Sequence, residues 1–486
     1  MSIHVVKPCF GAPLDDGTGI PILQLVELSS VFQIPSFQVV GLAGQEVGEA
    51  RERVRSAVEA SGFGFPKRRV VLNLSPASIK KRGTGLDLAM ALTVLKSTDE
   101  ARETMEGDER KWIAWGELGL GGEVRGVGQL FRLAYCALSG EIAGVIVAEV
   151  EAADLRDKIQ ELACVQHRSA DSLPQVLGVA NLGQAWHAVQ SGQPGPTPAI
   201  KLLPPGRIAN LTQDPSAAQS RDLLPLSPFL ARVIGVAASG GHHLFLLGPK
   251  GTGKSHALQW LERAIPPSAP DLRVKRALLE ELREGHASYR DTRWVGTLAK
   301  AQALIGSFRS GRYTPGDFVL AHGGLLIADE WPEWHRDARE ALREPLEAGL
   351  VTLNRVGGAI RVPARFQLAA SGNLCPCGGW PPDVPKPDGR AVPRCRCGLA
   401  QKQRYAERMS GPVLDRIDLF AAVIDLPSDS TERSDLSPAA LSDRVANTAG
   451  LLRNRLNGYL PGEWPATEIE SWLKRNRIEP RSFAPR

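Results

Sequence analysis

The sequence predicts an α/β protein of two or three domains, one of them built on a buried parallel sheet that carries a phosphate-binding loop. Three observations carry this expectation. An apolar run, Leu244-Phe245-Leu246-Leu247, leads into Gly248-Pro249-Lys250-Gly251-Thr252-Gly253-Lys254-Ser255, and a helix-capable segment, Ala257-Leu258-Gln259-Trp260-Leu261, follows. A second short apolar run, Gly324-Leu325-Leu326-Ile327-Ala328, is continuous, as a strand covered on both faces should be, and ends in Asp329-Glu330. Strand and helix patterns alternate through the chain up to about residue 185.

The glycine loop matches GxxxxGK(S/T) without a substitution. Its glycines let backbone N–H groups turn toward a phosphate, and the N-terminus of the following helix adds a favourable partial charge. Lys254 would reach the β- and γ-phosphates of ATP, and Ser255 would bind Mg²⁺. A glycine turn that spells the motif by chance is the competing reading, and the flanking strand and helix speak against it. Asp329, at the end of its strand, would support the Mg²⁺, and Glu330 would orient the attacking water.

At 486 residues and 43% hydrophobic content, each domain can bury its own core. The net charge of +5 is spread along the chain, which permits nucleic-acid binding without requiring it. No apolar run approaches the roughly 20 residues that span a bilayer, so no membrane partner is expected. The first residues lack the apolar core and cleavage pattern of a signal peptide, and a cytoplasmic location is the expectation.

Taken in order, residues 36–40 and 69–74 read as strands, and Val47, Ala50, Val54 and Ala57 share one helical face between them. Residues 88–95 read as a buried helix, and residues 112–118 and 143–147 as further strands. Together these give a first domain over residues 1–185. Proline and glycine crowd the stretch that follows, making residues 186–210 a linker. A second domain is expected over residues 211–425. It opens with a helix over 227–238 that Gly240-Gly241 stops, and includes a hairpin in which Val351, Leu353, Ile360 and Val362 flank Val356-Gly357-Gly358. Arg355 and Arg361 alternate with those apolar residues and would contact phosphates or simply face solvent. The strand over 366–371 delivers Asn373, and residues 436–456 support a helix in a small closing domain over 426–486.

Seven cysteines, an odd number, argue against a disulfide framework. Four of them form two CxC pairs, Cys375/Cys377 and Cys395/Cys397, with seventeen residues rich in proline and glycine between. Four thiolates so placed would close a tetrahedral structural Zn²⁺ site with no open position for catalysis; free thiols in a surface loop are the alternative.

Several stretches resemble one family. Pro35-Ser-Phe-Gln-Val-Val-Gly-Leu, Arg51-Glu-Arg-Val-Arg, Gly62-Phe-Gly-Phe-Pro-Lys-Arg-Arg, Gly83-Thr-Gly-Leu-Asp-Leu, Thr314-Pro-Gly-Asp-Phe-Val-Leu-Ala-His, Asn373-Leu-Cys-Pro-Cys-Gly and Ser410-Gly-Pro-Val-Leu-Asp-Arg-Ile-Asp-Leu are similar to the ComM/YifB group of Mg-chelatase-like AAA+ proteins. The resemblance implies a Lon-protease-like α/β amino-terminal domain, an AAA+ core and a small helical carboxy-terminal lid. The Lon-like domain would not be proteolytic, because residues 83–87 hold no serine nucleophile and Leu130-Phe131-Arg132 stands where the lysine-bearing helix begins. It further implies that Asn373 is the sensor that positions water, and that Arg416 is an arginine finger for a neighbouring subunit, with Arg408 as runner-up. A salt bridge to Asp415 or Asp418 is the competing role for Arg416. Arg481 would match a sensor arginine at the nucleotide, although the family's closing helix is expected to be shortened here. The implied activity is ATP hydrolysis by a hexameric ring that encircles DNA and drives branch migration in homologous recombination and natural transformation. A chelatase-type motor acting on a protein, or an ATP-binding scaffold, are the alternatives.

Overall fold

The computed structural model describes residues 3–15, 21–41, 45–75, 84–98, 111–139, 142–166, 168–169, 173–191, 223, 225–285, 291–309, 312–355, 358–380, 395–409, 411–423 and 437–455. It divides into two compact units. The first takes in Met1–Thr212 together with Val274–Tyr289 and Phe308–Pro315, and the second holds the remainder.

The first unit contains β1 (Ile3–Asp15), β2 (Pro21–Val31), β3 (Ser36–Val40), β4 (Arg69–Ser75) and β5 (Lys111–Trp115), then a small ribbon of β6 (Glu117–Leu118) with β7 (Val124–Arg125), then β8 (Ile142–Ala148) and β9 (Gln175–Val179). Seven of these form one sheet in the order β3-β4-β2-β1-β5-β8-β9. β1, β2 and β4 pair antiparallel, whereas β5, β8 and β9 run parallel. The expected strand over 112–118 is interrupted at Gly116, so its last residues belong to the ribbon. The helix expected over 88–95 is Asp87–Lys96, buried from Asp87 through Leu95. Such all-round burial fits its apolar run, broken only by Thr93, whose hydroxyl donates to Ala89 O at 2.7 Å.

Helix Leu130–Ser139 is also largely buried. At its N-terminus the Glu281 carboxylate accepts from the Phe131 and Arg132 N–H groups at 3.0 and 2.9 Å. The first N–H groups of a helix lie beyond its ladder of i−4 bonds, and a carboxylate there also meets the positive end of the helix dipole. Val274, Ala277 and Leu278 join the same apolar core.

In the second unit lie β10 (Leu244–Leu247), β11 (Thr292–Val295), β14 (Leu325–Ala328), β17 (Gln367–Gly372) and β18 (Leu419–Ala422), all parallel, in the order β11-β14-β17-β10-β18. Along the chain two hairpins fall between these strands, β12 (Gly306–Arg309) with β13 (Arg312–Pro315), of which Phe308–Pro315 is assigned to the first unit, and β15 (Leu350–Arg355) with β16 (Gly358–Pro363). Residues 356 and 357 of the expected turn lie outside the described residues. Helix Pro228–Gly240 starts where Ser227 accepts from Leu230 N–H and Pro228 fills the first helical position. Its apolar face packs with helix Lys254–Ala264, helix Pro438–Arg455 and the sheet into one core.

The parallel register positions the site. Leu247 pairs with Gly372, and Ala328 with Ala370. Residues just beyond β10, β14 and β17 therefore emerge side by side at one edge, the carboxyl edge at which open α/β sheets bind ligands. Helix Leu182–Ser191 runs through residue 185, and the expected linker lies outside the described residues from 192 onward.

Candidate nucleotide site and four-cysteine centre

The loop after β10 is folded on itself. Thr252 Oγ1 donates to Pro249 O at 3.0 Å, and Gly253 has φ +88°, a conformation a side chain would strain. Helix Lys254–Ala264 begins directly after it, so its first N–H groups face the space above the loop. Lys254 Nζ donates to Gly248 O at 2.9 Å, Pro249 O at 2.6 Å and Asn373 Oδ1 at 3.1 Å. Backbone carbonyls thus hold the ammonium where phosphate oxygens would take over. Burial pulls Lys254 down to about 8, while Asp329 and Glu330 pull the other way.

Asp329 and Glu330 follow β14 directly, both half-buried. Ser255 Oγ donates to Asp329 Oδ2 at 2.9 Å. That spacing fits two neighbouring ligands of a Mg²⁺ ion bound at about 2.1 Å to each oxygen. Glu330 adopts a left-handed backbone, φ +50°, rare for a residue with a side chain. Its N–H donates to Ser371 Oγ at 2.9 Å, and Ser371 Oγ in turn donates to Asp329 Oδ1. Sequence reasoning missed Ser371. It is one polar residue at the end of an apolar strand, and only the pairing of β14 with β17 aims it at the acidic pair.

Lys254, Ser255, Asp329, Glu330 and Asn373 thus come together at the carboxyl edge. Arg416 does not. Its Nη2 pairs with Glu347 Oε2 at 2.7 Å and its Nη1 donates to Pro412 O. Glu347 lines a cleft with His243, Gly324 and Gln367, which stand at the amino-terminal starts of β10, β14 and β17. Four-residue strands put about 10 Å between that edge and the phosphate loop. Arg408 pairs with Glu333 at 3.0 Å, in the short 3-10 turn Trp331–Glu333 that follows Glu330. Arg481 lies outside the described residues, while Arg361 is exposed on β16.

The four cysteines converge. Cys375 and Cys377 Sγ lie 3.4 Å apart, Cys377 and Cys395 3.7 Å, Cys395 and Cys375 3.7 Å, and all four sulfurs fall within 4.8 Å of one another. A tetrahedron of thiolates at about 2.3 Å from zinc has sulfurs about 3.8 Å apart, so the set fits that ion. Burial, then the adjoining Cys377 and Cys395, push the Cys375 thiol up to about 12. Burial opposes ionisation of Cys377, but the backbone N–H groups of Gly379 and Arg396 bring it down to about 6. Thiols this close resist ionising together unless a cation joins them.

Among the described residues, no helix is long and apolar enough to cross a membrane. Residues 229–431 match the family model for magnesium chelatase, subunit ChlI, and residues 26–151 match that for subunit ChlI of Mg-chelatase. The chain is 32% identical to the uncharacterised protein YifB of Salmonella typhimurium over 79% of its own length and 70% of that protein. It is 29% identical to the competence protein ComM of Haemophilus influenzae over 91% of its length and 82% of ComM. A shorter match, 26% identical over 28% of the chain and 17% of the relative, is to the minichromosome maintenance protein MCM of Saccharolobus solfataricus.

Proposed function

Since the chain belongs to the ComM/YifB family of Mg-chelatase-like AAA+ ATPases, we propose that it hydrolyses ATP as a ring-shaped motor on DNA, driving branch migration in recombination and uptake of transforming DNA. The observation that carries the ATPase reading is the convergence of Lys254, Ser255, Asp329, Glu330 and Asn373 at one sheet edge. Lys254 moves from the Gly248 and Pro249 carbonyls to the β- and γ-phosphates and offsets charge as the terminal phosphoryl group leaves. Glu330 orients the water, held in its left-handed turn through Ser371, and Asn373 fixes the water's other side. Ser255 and Asp329 would hold Mg²⁺, which supplies positive charge to the phosphate oxygens.

DNA as the track is supported by the names of two relatives, a competence protein and a minichromosome maintenance protein, and by the exposed Arg361 on the β15–β16 hairpin. Assembly into a ring, six-membered by the family resemblance alone, is supported by Arg416, which is paired away from its own phosphate loop and would complete a neighbour's site. We assign the amino-terminal unit a Lon-like, non-proteolytic role in assembly, and read the region around Pro438–Arg455 as part of a helical lid.

The test is ATP hydrolysis by the full chain, with and without single-stranded and branched DNA, beside Glu330→Gln. Turnover stimulated by DNA and reduced about 100-fold or more in the variant is expected. The description of the matching family as a magnesium chelatase subunit favours a second reading, remodelling of a protein partner, which turnover indifferent to every DNA would select.

A further inference from the structure

The four-cysteine centre and the phosphate loop touch. Lys250 N–H, in the middle of the loop, donates to Gly378 O at 2.8 Å. Gly378 closes the turn of the first cysteine pair, its own N–H donating to Cys375 O at 3.0 Å. Its φ is +69°, and a Cβ there would stand 2.8 Å from Lys250 Cβ. Two residues before the buried Cys375 is Asn373, whose side chain accepts from Lys254. One short run of backbone after β17 therefore carries the contact to the lysine, two of the four thiols, and the acceptor that holds the loop.

We propose that the metal held by Cys375, Cys377, Cys395 and Cys397 is a clamp on the nucleotide site, so that metal occupancy sets nucleotide affinity. This rests on the ATPase reading above. Cys395 and Cys397 precede helix Leu399–Ala406, and neither belongs to the turn that bonds the loop. A metal ion ties the residues just before that helix to the Cys375–Gly378 turn, closing the seventeen-residue loop between Cys377 and Cys395. Held so, Gly378 O is a fixed acceptor for Lys250, and Asn373 is fixed against Lys254. Without the ion, only weak thiol–thiol hydrogen bonds join the cysteines. The turn then gains freedom that the loop must give up each time it binds a triphosphate.

The experiment uses the full chain in three forms: zinc-loaded, stripped by a chelator, and the double variant Cys395→Ser, Cys397→Ser. Zinc content, circular dichroism and the affinity and release rate of a fluorescent ATP analogue are measured on each. A fourth sample, Gly378→Ala, keeps all four ligands and crowds the contact with the loop, and its zinc content shows whether the cysteine turn still holds the ion. The expectation is close to one zinc per chain in the wild type. Nucleotide binding should be about three- to tenfold weaker, the effect of one lost hydrogen bond, in the stripped and double-variant forms and also in zinc-loaded Gly378→Ala. Unchanged affinity and release in stripped protein that is still folded overturns the clamp and leaves the ATPase reading standing. A wild type without zinc, or Gly378→Ala that binds nucleotide as the wild type does, overturns it as well. If the zinc-loaded wild type binds no nucleotide, the ATPase reading fails and the clamp with it.

Discussion

Lys254 enters the site already bonded, and its environment sets how binding responds to pH. Burial brings its ammonium down to about 8, and a bound triphosphate raises it again, so binding takes up a proton once the free site starts to lose its own. Affinity for ATP is expected to hold below that value and to fall as pH rises through it, approaching about tenfold per unit at full linkage. Titration with a fluorescent nucleotide from neutral to alkaline pH checks this, and a flat profile would show that the lysine stays charged throughout. Ser371 offers a second test. Ser371→Ala leaves Asp329 Oδ1 without its serine donor and Glu330 N–H without its serine acceptor, and is expected to lower turnover about 10- to 100-fold and raise the Mg²⁺ requirement. Turnover at wild-type magnesium dependence would remove it from the site. The contrast between these residues shows what sequence carries. Gly248 through Ser255 are contiguous and spell their chemistry, and Asp329-Glu330 end an apolar run, so both were legible. Ser371 is one serine after two alanines, and its role exists only because β17 lies beside β14 in register.

Helix Leu130–Ser139 shows the same limit one level up. Its buried N-terminus is satisfied by Glu281, some 150 residues later in the chain, so no local pattern announces the cap. Glu281→Ala removes the carboxylate acceptor from two buried N–H groups and is expected to cost about 1–3 kcal/mol in urea unfolding of the full chain. Stability equal to wild type would mean that water replaces the carboxylate. Periodicity found helices rich in apolar residues, such as Asp87–Lys96 through its 88–95 run, and the short central strands β10 and β14. It missed β2, whose inward residues are Gln24, Val26, Leu28 and Ser30. Two polar side chains on the buried face break the alternation that marks a half-buried strand. The segment Pro270–Glu284 went unread for a related reason. It is dense in charge, yet Arg276, Glu280 and Glu281 are buried beside Ala277 and Leu278.

At the scale of the whole molecule, the decisive question is whether one chain contains a complete site. Arg416 is held by Glu347 at the amino-terminal edge of the parallel sheet, and the phosphate loop opens at the carboxyl edge. The sequence places Arg416 in a recognisable motif but says nothing of which edge it occupies, because that depends on how β18 and the turn before it pack. If the arginine acts on a neighbour's ATP, two different defects should complement each other. Arg416→Ala subunits bind ATP but have no finger to offer, and Lys254→Ala subunits offer the finger but bind ATP poorly. Each variant alone is expected to hydrolyse at least about 100-fold more slowly than wild type, since an arginine finger contributes about 10³–10⁵ in rate. Mixed before assembly, they should recover a readily measured fraction of wild-type turnover, because some interfaces pair an intact loop with an intact arginine. The Arg408→Ala variant, whose arginine pairs with Glu333 beside its own acidic pair, should not complement Lys254→Ala if its defect lies within its own subunit. Activity that stays at the level of the separate variants, in mixtures shown by light scattering to have co-assembled, would mean that Arg416 serves only its bond to Glu347 and that the ring needs another residue to complete its sites.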